Sequence, residues 1–161
     1  MLAPSPHELR KNGVSLDRKL DYTHFMRPKA GFSEREHTAD WELEVWAPDF
    51  PGLLAQAARG MYSISGVRLK EKPRQEREIH LTALDRESLL VRFLAELLAL
   101  AEQEHVGFDV FQFSLVGGQL RVGLEGAPII SLDKEIKAVT YHNLSIRETA
   151  EGLVVNIVFD V

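Results

Sequence analysis

Two aspartates frame the part of this sequence best suited to chemistry. Asp40 closes the stretch "EHTAD", Glu36 to Asp40, directly ahead of an alternating strand pattern. Asp160 sits in the final "FDV", at the end of another such pattern. If the two strands are antiparallel neighbours, the start of one lies beside the end of the other and the carboxylates converge. If they are parallel, a strand of about six residues holds them roughly 20 Å apart. Val161 ends the sequence and is expected to place a main-chain carboxylate one residue from Asp160. Oxygen donors without sulfur favour a hard cation such as Ca²⁺ or Mg²⁺. The plainer account is that Asp40 caps a turn and Asp160 is a solvated strand end.

His37 stands three residues before Asp40 and is a candidate ligand, general base or backbone hydrogen-bond partner. A histidine without a second one at metal spacing is more often structural or exposed, and His142 has the same standing. The segment "DKEIKAVTYHNL" carries Lys137 and His142 and is cleanly apolar on neither strand face. It reads as an inner strand with one face on a site, or as a solvated edge strand in which lysine discourages pairing. Lys137 would complement an anionic partner or a phosphate.

Several classes are disfavoured. There is no cysteine, which excludes disulfides, thiolate catalysis and cysteine-type zinc sites and is compatible with a reducing cytoplasm. The net charge of −5 argues against a global field that attracts nucleic acid or an anionic membrane. The run "KEKPRQERE" mixes both signs without interleaved aromatics, so strong direct nucleic-acid binding is not expected. "LVGGQL" lacks the following helix and Lys-Ser/Thr of a phosphate loop. "SLLVRFLAELLALA" is interrupted by Arg92 and Glu96 and is too short for a membrane span. No secretory signal is evident in "MLAPSPHELRKNG".

The elements that must position these residues are legible from periodicity. Residues 1–33 are polar and aperiodic and read as an extension, flexible or peripheral, whose removal as far as about Gly31 is expected to leave the domain folded. Residues 34–161 read as one domain. Trp41, Leu43 and Val45 alternate with Glu42, Glu44 and Trp46, a strand with one apolar face. Asp49 and Pro51 suit the start of a helix reaching about Tyr62. Asp85 caps a second helix with a wide stripe from Leu89 to Ala101, and Gly107 reads as its terminating glycine. A hairpin turns at "GG", and two strand patterns, "EIKAVTYHNLSIRE" and "GLVVNIVFDV", finish the chain. Two helices and about seven strands without βαβ alternation predict a two-layer α+β domain, the helices packed on a largely antiparallel or mixed sheet.

"EHTAD", "LLVRFLAELL", "EIKAVTYHNL" and the final "VFDV" together resemble the archease family, in that family's order, over residues 34–161. Phe93 and Ala95 stand where the family commonly has Trp and Asn. The resemblance implies an activator protein rather than an enzyme, acting on the GTP-dependent RtcB-type RNA ligase of tRNA splicing and RNA repair. It implies a divalent cation on Asp40, Asp160 and Val161, calcium being expected and magnesium or manganese the alternatives. It implies a role in activation for Lys137, and His37 and His142 are further candidates for contact with that partner. The competing expectations are a metal-dependent hydrolase or nuclease built on Asp40, Asp160 and His37, and a chaperone-like modulator of a tRNA-modifying enzyme.

Overall fold

Alternation of apolar and polar side chains builds the first two strands. The computed structural model describes residues 27–35 and 40–161. Within them β1 spans Gly31–Arg35 and β2 spans Trp41–Ala47, with Leu43, Val45 and Ala47 buried. Helix α1, Phe50–Ser65, starts where the Asp49 side chain accepts the Gly52 N–H at 2.8 Å, with Pro51 in its first turn. It stops at Gly66, which takes the left-handed conformation that glycine adopts at little cost. Helix α2, Arg86–Glu104, begins at Asp85, which accepts the Ser88 N–H at 2.7 Å. That hydrogen bond holds the Asp85 carboxyl below its ordinary range.

The second helix does not end at Gly107. His105 takes the left-handed position (φ 56°) and donates its N–H to the Ala101 carbonyl, closing the last turn two residues earlier. Gly107 belongs instead to strand β5, Val106–Val116. There its carbonyl oxygen comes so close to Gly126 of the neighbouring strand that a side chain at Gly126 would meet it.

Two antiparallel sheets share the core. The first has the order β1-β2-β9-β7, where β9 is Gly152–Asp160 and β7 is Ala138–Val139, with β8, Arg147–Thr149, also paired to β9. The second is centred on β6, Gln119–Ser131, which pairs with β5, with β4, Gln75–Thr82, and with the short β3, Arg68–Leu69. Gly117 and Gly118 make the β5–β6 turn, Gly117 at φ 61°. Every pairing is antiparallel, so the α+β expectation stands without its mixed-sheet option, and one sheet becomes two. Helix α1 packs on β1 and β2 and reaches β5, while α2 packs on β5 and β4 and reaches β7. Both helices thus touch both sheets. Phe93 of α2 lies edge-on to Phe111 and Phe113, and with Leu43, Leu54, Leu94, Ile157 and Phe159 it forms one continuous apolar cluster.

The boundary drawn at residue 34 cuts through β1. Phe32 is partly buried against the core, and Gly31 lies so close to the Trp46 ring that a side chain there would collide with it. The residues just before the strand are also tied down. The Trp46 indole N–H donates to the Pro28 carbonyl at 2.8 Å, and the Arg27 guanidinium stacks 3.4 Å from the centre of the Trp46 ring. Arg27 and Arg35 each bind one carboxylate oxygen of Glu44, which is only 9% exposed on the face of β2 opposite the core. Burial acts to raise the Glu44 carboxyl, and the two guanidinium groups outweigh it and hold the carboxyl below its usual range. A glutamate that alternation assigns to solvent is thus a packed, paired group.

Candidate functional site

The β2–β9 register decides the relation between the two aspartates. Trp41 is the partner of Phe159, Leu43 of Ile157 and Val45 of Val155. Asp40 precedes the first of these pairs and Asp160 follows it, so extending the ladder by one residue sets them opposite each other. Alternation sends both side chains to the face away from Phe159 and the core. Of the two sequence alternatives, parallel and antiparallel, the strands take the one in which the carboxylates converge. Val161 packs its side chain partly against the core, which holds its main-chain oxygen close to Asp160.

Lys137 joins this end of the sheet from the other flank. Its backbone N–H donates to the Asp160 carbonyl at 2.8 Å, and the next residue, Ala138, is the ladder partner of Asp160. Asp160 therefore sits between Asp40 on one side and Lys137 on the other. The "EIKAVTYHNLSIRE" segment is an edge and not an inner strand, and it pairs only over Ala138–Val139 and Arg147–Thr149. Its polar residues explain the interruption. Thr140 donates both its N–H and its hydroxyl to the Val158 carbonyl and accepts the His142 N–H, and Asn143 takes φ 51° in the turn that follows. His142 is exposed on that turn, its ring nitrogen 3.2 Å from the Asn143 amide, and lies outside the carboxylate pair. His37 falls outside the described residues.

No salt bridge among the described residues engages Asp40, Asp160 or Lys137, although Arg74, Arg77, Arg86 and Arg121 elsewhere all have acidic partners. No group of three or more His, Cys, Asp or Glu side chains converges among the described residues. A cation here would rest on two carboxylates, main-chain oxygen and water. That donor set fits a hard ion that keeps part of its hydration and does not fit a closed zinc site.

An open apolar groove runs beside the site, between α2 and residues 132–139, lined by Leu98, Ala99, Leu132, Val139 and Lys137. Ala95 lines the same groove, so the departure from Asn at that position changes a surface next to Lys137. A second groove, at Trp46, Pro28 and Glu151, is at the other end of β2, about 20 Å of strand away from Asp40.

A model of the Archease protein family matches residues 32–161. The chain belongs to the archease family. It is 34% identical over 139 residues to the protein archease of Methanosarcina mazei, covering 78% of this chain and 92% of that one. With the protein archease of Saccharolobus islandicus (strain M.14.25) the identity is 33% over 134 residues, covering 78% and 95%. The solved structure of an archease from Thermotoga maritima, described as a possible chaperone, superposes with a TM-score of 0.60 at 24% identity, over 80% of this chain and 96% of that chain. Protein 1598 of Methanobacterium thermoautotrophicum superposes with a TM-score of 0.63 at 23% identity, over 83% and 100%. These two likenesses establish that the two-sheet, two-helix arrangement is the archease fold.

Sequence reasoning missed two features of strand β2. One is the Glu44 clamp. The other is Lys134, whose ammonium lies 4.5 Å from the centre of the Trp41 ring. Neither has a local signal, because the partners are joined only by the fold. Among the described residues no helix is long and apolar enough to cross a membrane.

Proposed function

We propose that this archease is a non-enzymatic activator of a GTP-dependent RtcB-type RNA ligase, serving tRNA splicing and RNA repair in the cytoplasm. Membership of the archease family supports the coarser part of this reading, an accessory protein with a chaperone-like or activating role. The observation that carries the finer part is the meeting of Asp40, Asp160 and Lys137 at one end of the first sheet.

In this reading the Asp40 and Asp160 carboxylates and the Val161 main-chain oxygen hold a divalent cation, calcium first and magnesium or manganese in its place. When bound, the ion supplies positive charge that offsets the charge on phosphate oxygens. The chain's own groups do the rest. Lys137 presents a second positive charge, its backbone tethered to Asp160 so that the root of its side chain is held beside that strand. The β2–β9–β7 ladder keeps the tip rigid, so that it enters the ligase's nucleotide cleft in one orientation. The groove beside α2 gives the partner an apolar surface to cover. Ordering reactants in this way raises a rate without the activator making or breaking a bond.

The test is reconstitution with the ligase from the same source. Substoichiometric archease should convert a single-turnover ligation into many turnovers, and Asp40→Ala and Lys137→Ala should abolish the effect. Metal-dependent cleavage of RNA or GTP by the archease alone, lost in Asp40→Ala, would support the hydrolase reading instead.

A further inference from the structure

The positive charge of the tip is larger than Lys137 alone. Lys134 sits three residues earlier, and its ammonium lies over the Trp41 ring at 4.5 Å. A cation–π contact of this kind restrains a side chain that would otherwise sweep freely. Trp41 follows Asp40 in the chain and packs on the core face, so Lys134 stands at the same end of the sheet as the carboxylate pair but on the helix side, where it lines the groove beside α2 together with Lys137.

The segment joining the two lysines is held at both ends. The N–H groups of Asp133 and Lys134 donate to the Ser65 carbonyl at 2.9 and 3.2 Å. Ile136 is buried in the core at 6% exposure, and the Lys137 N–H is bonded to Asp160. Residues 134–137 thus form an arch fixed by main-chain bonds and one apolar anchor, with a lysine at each foot. Three residues span at most about 11 Å, within which two lysines can close on a di- or triphosphate. Neither ammonium has a salt-bridge partner among the described residues, whereas Arg27, Arg35, Arg74, Arg77, Arg86 and Arg121 each have one.

We infer that Lys134, braced by Trp41, and Lys137 form a two-lysine site for a polyphosphate or phosphate group in the groove beside α2, at the same end of the first sheet as the carboxylate pair. The inference rests on the activator reading for its biological source, which is either the ligase's nucleotide or the phosphorylated RNA end. It assigns Lys134 a direct ligand contact and Trp41 a positioning role.

The experiment uses the full chain with calcium present and inorganic triphosphate as the probe, followed by the indole N–H resonance of Trp41 and by calorimetry. Triphosphate should shift the Trp41 resonance saturably. Lys134→Gln should weaken binding about tenfold and Lys134→Arg less than about threefold, as expected when a charge-assisted hydrogen bond is removed or kept. Trp41→Leu should weaken it by less than Lys134→Gln. Melting temperatures confirm that each variant folds. Parallel titrations with GTP and with a 3′-phosphorylated RNA trinucleotide identify the source, as the ligand whose binding depends more on Lys134. Equal triphosphate binding by wild type and Lys134→Gln, equal loss in Lys134→Gln and Lys134→Arg, or an unmoved Trp41 resonance would each overturn the site. The titration needs no ligase. Failure of wild-type archease to stimulate the ligase would defeat the activator reading separately.

Discussion

Lys137 donates its backbone N–H to the carbonyl oxygen of Asp160 at 2.8 Å, which ties the candidate activating lysine to a candidate cation ligand by main chain alone. The side chain of neither is needed for that bond, and both are exposed. Each can therefore be changed without removing the scaffold that brings them together.

Cation binding should follow from this arrangement. Asp40→Asn and Asp160→Asn should each weaken calcium affinity by about tenfold or more, since each removes one charged ligand from an incomplete shell. Calorimetric titration measures this. Melting temperatures in calcium-free buffer should stay within about 2 °C of wild type, because surface changes away from the core alter stability little. Unchanged affinity in both variants would remove the cation site.

Lys137→Ala should leave both folding and calcium affinity intact while abolishing ligase stimulation. The separation matters: a variant that lost calcium as well would show that Lys137 acts through the site's structure. The measurement is turnover number in the reconstituted ligation, beside calcium titration of the same sample.

Glu44 gives a pH prediction. Its carboxyl is depressed by Arg27 and Arg35 against an opposing effect of burial. A depressed carboxyl stabilises the fold above its unfolded pKa of about 4.3, and that stability disappears as pH falls through the folded value. Unfolding free energy should thus decline on acidification below about pH 4.5. Glu44→Gln should flatten part of that decline and cost about 1–3 kcal/mol near neutrality, as loss of a charged hydrogen-bonded group does. Urea titrations at pH 3.5, 5 and 7 would check it, and an acid limb identical in Glu44→Gln would show that other carboxyls govern it.

Truncation through Gly31 should not be silent, contrary to what composition suggests. It removes Arg27 from Glu44 and Trp46, and the Pro28 carbonyl from the Trp46 indole. A loss of about 1–3 kcal/mol is expected from these contacts. Extending the cut through Arg35 removes β1 and Phe32 and should be markedly worse. Thermal unfolding of the two truncations gives the comparison.

Gly126→Ala should destabilise by about 3 kcal/mol or more, the upper end of overpacking costs. Its added carbon would lie 1.8 Å from the Gly107 carbonyl oxygen, a backbone atom that cannot swing aside. Gly117→Ala is the control for local backbone strain, since nothing lies within 4 Å of the carbon it adds.

The sequence by itself determined the local parts of this protein. Asp49 and Asp85 announce the two helices because an N-cap bond spans only three residues, and the structure makes both bonds. Period-two alternation announces β2 and β9 because each strand's pleat sets it. The "GG" hairpin is legible because two adjacent residues carry it. The final turn of α2 was misplaced because His105, not a glycine, takes the left-handed position there. Asp40 and Asp160 were identifiable as candidates, but the chain alone left their strands parallel or antiparallel. Only the β2–β9 pairing brings residues 120 positions apart to one end of a sheet. The same holds for Lys134 on Trp41 and for Arg27 and Arg35 on Glu44. Such contacts are set by which strands lie side by side, and that choice depends on how both helices and both sheets bury their apolar faces in one core. No window of sequence contains that information, so the residue types were visible early and their meeting was decided by the fold.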